Sequence, residues 1–295
     1  MSMCNICPRN CNIDRSVSAG FCGMTDTVKI SRAALHMWEE PCISGEKGSG
    51  TVFFSGCNMK CVFCQNKYIS TGGFGKEITI EKLSDIFLSL QEKGALNINL
   101  VTPTHYTLQI IEAVKLAKRK GLNLPIVYNT SSYENVETIK LLSDTVDIWL
   151  PDFKYTDNSA AWRYSKAPDY VEKAKAAIEE MVRQQPECIF DEDGIIQKGG
   201  LVRHLVLPGQ VQAAKDALKY LYGKYGDSIF VSIMSQYTPC TDLSDYPEIN
   251  RKITPEEYDD VVDFAVDIGL ENGFLQEGES ASESFIPTFD LTGVE

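Results

Sequence analysis

The chain has 295 residues, 43% hydrophobic and 23% charged, enough apolar content for one large α/β domain or two smaller ones. Its formal net charge of −13 opposes nonspecific binding to nucleic acid or an anionic membrane, and the longest basic cluster, KLAKRKG from Lys115, reads as a solvated helix end. MSMCNICPRN does not resemble a secretory signal and no apolar run is long enough to span a bilayer, so the 10 cysteines of a cytoplasmic protein are expected to bind metal or do chemistry rather than form disulfides.

The first region in chain order is a cysteine-rich N-terminal module over residues 1–45, followed by one domain over 46–295. Cys4, Cys7, Cys11 and Cys22 are spaced C-x2-C-x3-C-x10-C around Pro8 and Gly20. So little apolar content does not fold alone, and a metal would stabilise it. Structural zinc, an auxiliary iron-sulfur cluster and unligated thiols all remain open for these four. Cys42 is able to replace a member of either cysteine set, while Cys188 and Cys240 read as ordinary thiols.

Beyond the module, short β-branched or aromatic runs alternate with amphipathic stretches. Strands are predicted at 51–55, 98–102, 125–129, 147–152, 202–207, 229–235 and 273–278. The intervals carry helix signals. Thr79 caps a run with Leu83, Ile86, Phe87 and Leu90 at helical spacing that stops at Gly94, a similar run ends at Gly121, and Thr254 opens a third ahead of a proline and acids. Asn158 to Gln185 reads as a long helical stretch, and CIFDEDGIIQKGG as a small hairpin. Six or seven parallel strands with outer helices predict a barrel, complete or incomplete; a doubly wound open sheet is the alternative.

The first predicted strand runs straight into GCNMKCVFCQN, where Cys57, Cys61 and Cys64 stand close together with no fourth cysteine. Parallel α/β folds place their sites at this end of a strand. Three thiolates on a four-iron cluster leave one iron open to a small molecule, whereas a zinc site would need a distant fourth ligand. Gly56 lets the backbone turn into the loop.

CNMKCVFC, with an aromatic before its last cysteine, resembles the signature of the radical S-adenosylmethionine (SAM) superfamily. With WEEPCISGEKGSGTVFF before it and CNICPRNCNIDRSVSAGFCG upstream, the chain is similar to proteins related to pyruvate formate-lyase activating enzyme, from Cys4 to about Leu207. The resemblance implies a partial (β/α)6 barrel in which Cys57, Cys61 and Cys64 hold a [4Fe-4S] cluster and the open iron chelates SAM. It implies reductive cleavage of SAM to a 5'-deoxyadenosyl radical that abstracts hydrogen from a substrate, with a flavodoxin- or ferredoxin-type reductant. A glycyl-radical protein is the first candidate substrate and a small molecule or peptide side chain the second. The reading from another class is a non-catalytic metal-binding or electron-carrier protein.

By the same resemblance Phe63 packs near the adenine, although a core aromatic fits equally. The family's Gly-Gly-Glu motif is missing from VTPTHY, which leaves Thr102, Thr104 and His105 as polar substitutes, Thr104 and His105 also being able to serve the following helix. Asn129, Thr130 and Ser131 end the third strand facing the ribose or methionine, with a capping turn near Ser132 and Glu134 as the other reading. Asp152 and Lys154, two apart, share one face at the mouth. They resemble residues near the cofactor carboxylate, the Asp helping to hold a cation, and Arg203 matches an arginine beside that carboxylate. Gln236 is a further candidate, His204 reads as packing, and Glu277 and Glu279 either line the mouth or sit in a solvated loop.

Overall fold

The computed structural model describes residues 3–276 and 287–295. Its elements are β1 (Lys29–His36), α1 (Pro41–Ser44), β2 (Ser49–Phe54), α2 (Lys67–Ser70), β3 (Lys76–Glu77), α3 (Ile80–Glu92) and β4 (Ile98–Val101), then α4 (Thr107–Arg119), β5 (Ile126–Thr130), α5 (Val136–Leu141) and β6 (Ile148–Pro151). The second half has α6 (Asn158–Ser165), α7 (Tyr170–Gln184), β7 (Ile189–Phe190), β8 (Ile196–Leu205), α8 (Val211–Tyr225), β9 (Phe230–Met234), α9 (Pro255–Asp267) and β10 (Gly273–Leu275).

One sheet runs in the order β10-β9-β8-β6-β5-β4-β2-β1-β3, with β7 hairpinned onto β8. From β2 to β10 this path is parallel, and β1 and β3 extend it antiparallel beyond β2. Among the described residues the two ends of the sheet do not pair, so the barrel is partial, as the resemblance implies. Every residue of β2 and of β5 is buried, because helices cover one face and the barrel interior the other. Thr79 accepts a hydrogen bond from the Lys82 amide at the start of α3, and Thr254 forms a reciprocal capping box with Glu257 at the start of α9.

Three features depart from the sequence pattern. β1, KISRAALH, was not predicted: it carries three basic side chains and no strict alternation, and it takes its place through six register pairs with β2. Residues 29–44 of the stretch assigned to the N-terminal module thus supply a strand of the sheet and a helix beneath it. The single helical stretch from Asn158 to Gln185 is two helices, because Pro168 disfavours helix at Ala167 and Lys166 turns left-handed at φ 55°. The last strand stops at Leu275, and Glu277 and Glu279 lie outside the described residues.

Two larger hydrophobic clusters flank the sheet. One packs α3 and α4 on β1, β2 and β4, with Phe54, Phe87 and Leu100 in it; the other packs α6 to α9 against β8 and β9 and reaches the cysteine loop through Met59 and Phe63. A smaller one, with Cys42, Ile43, Ile148 and Leu201, seals the end of the barrel opposite the loop, so Cys42 sits in packing with Cys188 rather than among either cysteine set.

Candidate active site at the barrel mouth

The loop from Gly56 leaves the C-terminal end of β2. Gly56 has φ 84°, and a Cβ there would stand 2.4 Å from Met24 Cγ and 2.8 Å from the Cys22 carbonyl oxygen. Glycine alone accommodates both the turn and this close approach. The Cys57 amide donates to that same carbonyl at 3.3 Å. Arg9 adds a second tie, donating from Nε to the Asn58 carbonyl at 2.7 Å and from Nη1 to the Lys166 carbonyl at 2.5 Å while stacking 3.8 Å above Phe21. The N-terminal cysteine segment therefore forms one wall behind the loop.

Each loop thiol has its own hydrogen-bonding neighbour. The Met59 amide donates to Cys57 Sγ at 3.3 Å, the Ser165 hydroxyl donates to Cys61 Sγ at 3.0 Å, and Cys64 Sγ lies 3.4 Å from Ser70 Oγ. Burial pushes the Cys57 thiol up to about 12 and raises Cys61 and Cys64 as well, with Lys154 pulling Cys61 the other way. Thiols in such surroundings stay protonated unless a cation draws out the thiolate, and an iron centre supplies that charge. Among the described residues no group of three or more His, Cys, Asp or Glu side chains is assembled around a single ion. The fit rests on donor chemistry: three half-buried sulfurs on one loop, each beside an N–H or O–H group of the kind that iron-sulfur ligands accept bonds from. Cys240 also comes within electrostatic range of Cys64, which the spacing of the chain did not reveal.

A cavity of about 470 Å³ opens from the loop into the barrel, bordered by Cys57, Cys61, Phe63 and Cys64. Thr102, the residue after β4, and Asn129, one residue before the end of β5, stand on its wall, joined by the Thr102 amide donating to the Asn129 carbonyl at 3.0 Å. Thr130, Ser131, Asp152, Lys154, Arg203 and Gln236 also border it. Phe63 is buried with its ring edge-on to Tyr237, 5.7 Å between centroids. Thr104 is not on the wall: it is buried in the turn before α4, where its hydroxyl donates to Glu134 Oε1 at 2.6 Å, as does that of Thr130. His105 and His204 are buried on backbone carbonyls, Nε2 on Ser55 at 2.8 Å and Nδ1 on Phe153 at 2.6 Å, and burial depresses both to about 3 and about 4.

The charged side chains form one network. Arg203 Nε donates to Asp152 Oδ1 at 2.8 Å, Nη1 to Glu39 Oε2 at 3.0 Å and Nη2 to Asn129 Oδ1 at 2.6 Å, while Lys154 Nζ donates to Asp152 Oδ2 at 2.6 Å. Burial alone would raise Asp152, but Arg203 and Lys154 outweigh it and hold the carboxyl below its usual range. Both oxygens of Asp152 are thus satisfied by the protein's own cations, and Arg203 is braced from three sides. Lys154 keeps donors to spare at the cysteine end of the cavity.

Glu39 and Glu40 are the partners the sequence reading missed. They follow β1, reach the network from the sealed end of the barrel, and have their carboxyls raised by burial against the pull of Arg203. The signal was present in WEEPC, an acid pair held by a proline next to apolar CIS, but only the path of β1 shows that it points inward.

At the N-terminus Cys7 and Cys22 are buried, the Phe21 amide donates to Cys11 Sγ at 3.3 Å, and a Cβ on Gly20 would stand 3.5 Å from both the Cys11 and Cys22 sulfurs. Cys4 is held by mutual backbone bonds with Asn12 and Ile13, which folds the segment into a tight loop.

A partial parallel barrel with half-buried thiols on the loop after β2 and a charged cavity beneath them is an α/β architecture whose candidate site lies at the mouth of the barrel. Residues 51–210 match the Radical SAM superfamily. The protein MJ0674 of Methanocaldococcus jannaschii, itself uncharacterized, is 31% identical over 277 residues, covering 91% of this chain and 75% of that protein. The chain belongs to the Radical SAM superfamily. Among solved structures, methylornithine synthase (PylB) superposes with a TM-score of 0.50 at 15% identity, covering 74% of this chain and 68% of that one. HydG, a maturase of the [FeFe]-hydrogenase, gives 0.50 at 13% identity over 74% of this chain and 48% of its own length. These likenesses are of fold. No helix among the described residues is long and apolar enough to cross a membrane.

Proposed function

We propose that Cys57, Cys61 and Cys64 hold a [4Fe-4S] cluster at which this radical SAM enzyme cleaves S-adenosylmethionine to abstract hydrogen from a substrate. The observation that carries the reading is the set of three half-buried thiols at the head of a cavity large enough for a nucleoside. When bound, the cluster supplies the electron that breaks the sulfonium C–S bond, releasing methionine and a 5'-deoxyadenosyl radical. The protein's residues do the rest. Lys154, the cation nearest Cys61 with donors to spare, pairs with the methionine carboxylate; Phe63 and Tyr237 flank the adenine; and Thr102, Asn129, Thr130 and Gln236 offer polar atoms along the walls. Arg203 acts mainly by keeping Asp152 ionised beneath Lys154.

Anaerobic reconstitution followed by dithionite reduction tests this. Wild-type protein should form 5'-deoxyadenosine and Cys61→Ala should not; equal product from both, or none from an iron-replete wild type, overturns the reading.

A glycine loop of a glycyl-radical protein is the substrate that the sequence resemblance suggests, with a flavodoxin- or ferredoxin-type donor of electrons and a site in the cytoplasm. The charged floor of the cavity favours the other reading, a small molecule or peptide side chain that itself bears charge. Cys4, Cys7, Cys11 and Cys22 bind a second metal centre in this scheme, zinc or a cluster, and metal content per chain separates the two.

A further inference from the structure

We propose that the outer face of the thiol loop, around Lys60, is the docking surface for an acidic one-electron carrier protein. The carrier's role rests on the function proposed above; the surface and its charge do not.

Side chains along the loop alternate between two sides. Cys57, Met59, Cys61 and Phe63 border the cavity, whereas Lys60 does not. Its ammonium stands instead 5.3 Å over the Phe21 ring, which also carries the Arg9 guanidinium at 3.8 Å. The Lys60 amide donates to the Ser165 carbonyl at 3.2 Å and the Val62 amide to that of Tyr164 at 2.8 Å, so the loop runs beside the end of α6. This brings in Lys166, whose ammonium lies 5.3 Å from the Trp162 ring. Three cations and two aromatics, Phe21 at 39% and Trp162 at 53% exposure, thus lie against the thiol loop on the side away from the cavity.

Among the described residues none of the three cations has a carboxylate at ion-pair distance. Arg9 gives Nε and Nη1 to backbone carbonyls and keeps Nη2 covered with no acceptor. Asp169, across Tyr133 from Arg9, accepts from that ring's hydroxyl instead. The segments that build the face, residues 3–13, 56–76 and 158–168, hold six Lys or Arg and no Asp or Glu, in a chain of 28 basic and 41 acidic residues. Of the six, Arg163 pairs with Glu248. No linear stretch shows the patch, because only the fold brings the three segments together.

A negatively charged partner is repelled by a body of net charge −13 and approaches where the local field is reversed. α9, with Asp259, Asp263 and Asp267 exposed, turns such a partner away, and the face over the loop draws it in. Exposed aromatics beside arginine are the composition of a protein interface centre, while nucleic acid needs a longer basic track than three cations supply. The substrate meets the radical on the cavity side, so what docks behind the thiols supplies electrons and is not the molecule that loses hydrogen. Lys60 is one Cα step of about 3.8 Å from Cys61, which places a carrier seated on Lys60 and Phe21 close to the cluster. One electron leaves the reduced carrier and enters the cluster; no bond forms or breaks.

The test uses the full chain, reconstituted anaerobically, with two probes, an acidic flavodoxin in its oxidised form and an acidic [2Fe-2S] ferredoxin. Dissociation constants are read by calorimetry at two salt concentrations. At least one probe should bind wild type, at least about tenfold more tightly at about 50 mM than at about 300 mM salt. Lys60→Glu with Lys166→Glu should weaken that binding at least about tenfold. Lys115→Glu with Lys118→Glu, the same change of net charge on α4, should alter it by less than about threefold. Binding by neither probe, binding indifferent to salt, or equal losses in the two double variants overturns the proposal. So does tighter binding of a short DNA duplex that the Lys60 and Lys166 changes abolish, which would give the face to nucleic acid. If the Lys60 variant takes up less iron than wild type, Trp162→Ala with Lys166→Glu, which leaves the loop sequence intact, should show the same loss of binding, and its failure to do so is equally fatal. With dithionite the Lys60 and Lys166 variant should form 5'-deoxyadenosine as wild type does, and with the reduced probe at least about tenfold more slowly; equal slowing with both reductants counts against docking. No product from wild type with dithionite sinks the radical reading and leaves the binding result standing.

Discussion

Gly56→Ala is the sharpest perturbation available, because it changes one methyl group at the joint between the N-terminal segment and the thiol loop. Alanine at φ 84° costs about 1–2 kcal/mol for the left-handed backbone. Its Cβ would also meet Met24 Cγ at 2.4 Å and the Cys22 carbonyl at 2.8 Å. The methionine can swing aside, but the carbonyl is backbone and already accepts from the Cys57 amide, so relief requires the two segments to separate. Overpacking of this kind adds about 1–3 kcal/mol, for a total of about 2–5 kcal/mol. Urea unfolding of the cluster-free protein under anaerobic conditions should show that loss, and reconstitution should leave the variant with less iron than wild type. A variant within about 0.5 kcal/mol of wild type that takes up a full complement of iron would refute the reasoning.

Ser165→Ala removes the hydroxyl that donates to Cys61 Sγ. Such bonds favour the electron-rich reduced state, so the cluster potential should fall, and a redox titration followed by EPR that shows no fall counts against the assignment. Arg203→Met leaves Asp152, Glu39 and Glu40 with only Lys154 and should cost about 3–5 kcal/mol in chemical denaturation; a neutral effect would mean that the buried carboxyls are already protonated. Glu134 is held at about 7 rather than 4.5, chiefly by burial and despite the Thr104 and Thr130 hydroxyls. The folded state therefore binds this proton more tightly, and the group's contribution to stability is full below about pH 4.5, declines through the window up to about pH 7 and is level above it. Measured against Glu134→Gln, which has no such proton, wild type should lose about 3 kcal/mol of relative stability across that window, and a constant difference would contradict the placement of Glu134.

The sequence disclosed the parallel part of the sheet because buried strands such as TVFF, IVYN and FVSIM are dense in β-branched and aromatic residues. It disclosed the thiol loop because the spacing of three cysteines after a strand is local information. β1 was hidden because backbone pairing, not side-chain pattern, holds it: only Ile30, Ser31 and Ala33 are deeply buried along it. The loss of β1 hid Glu39 and Glu40 in turn, since an acid pair reads as surface until a strand is seen to carry it under the barrel. Thr104 failed for a related reason. Its position after β4 suited the cavity, but Glu134, contributed by the next βα turn, draws its hydroxyl away. Asp152, Lys154 and Arg203 were legible as individual residues, whereas the sharing of Arg203 among three carboxylates depends on geometry that no linear spacing carries.

The last residues of the chain give β1 a neighbour on its outer side. Leu291 donates to the Ser31 carbonyl, Ala33 donates to that of Thr292, Asp290 pairs with Arg32 at 2.9 Å, and Val294 is fully buried. Gly293 passes so near Ala33 that a Cβ there would stand 1.9 Å from its carbonyl oxygen. An uncovered strand at the rim of a sheet is a template on which other chains can add. The tail thus works as a selvedge, and removing residues 288–295 should leave a protein that gains a tendency to self-associate edge to edge before it loses any of its chemistry.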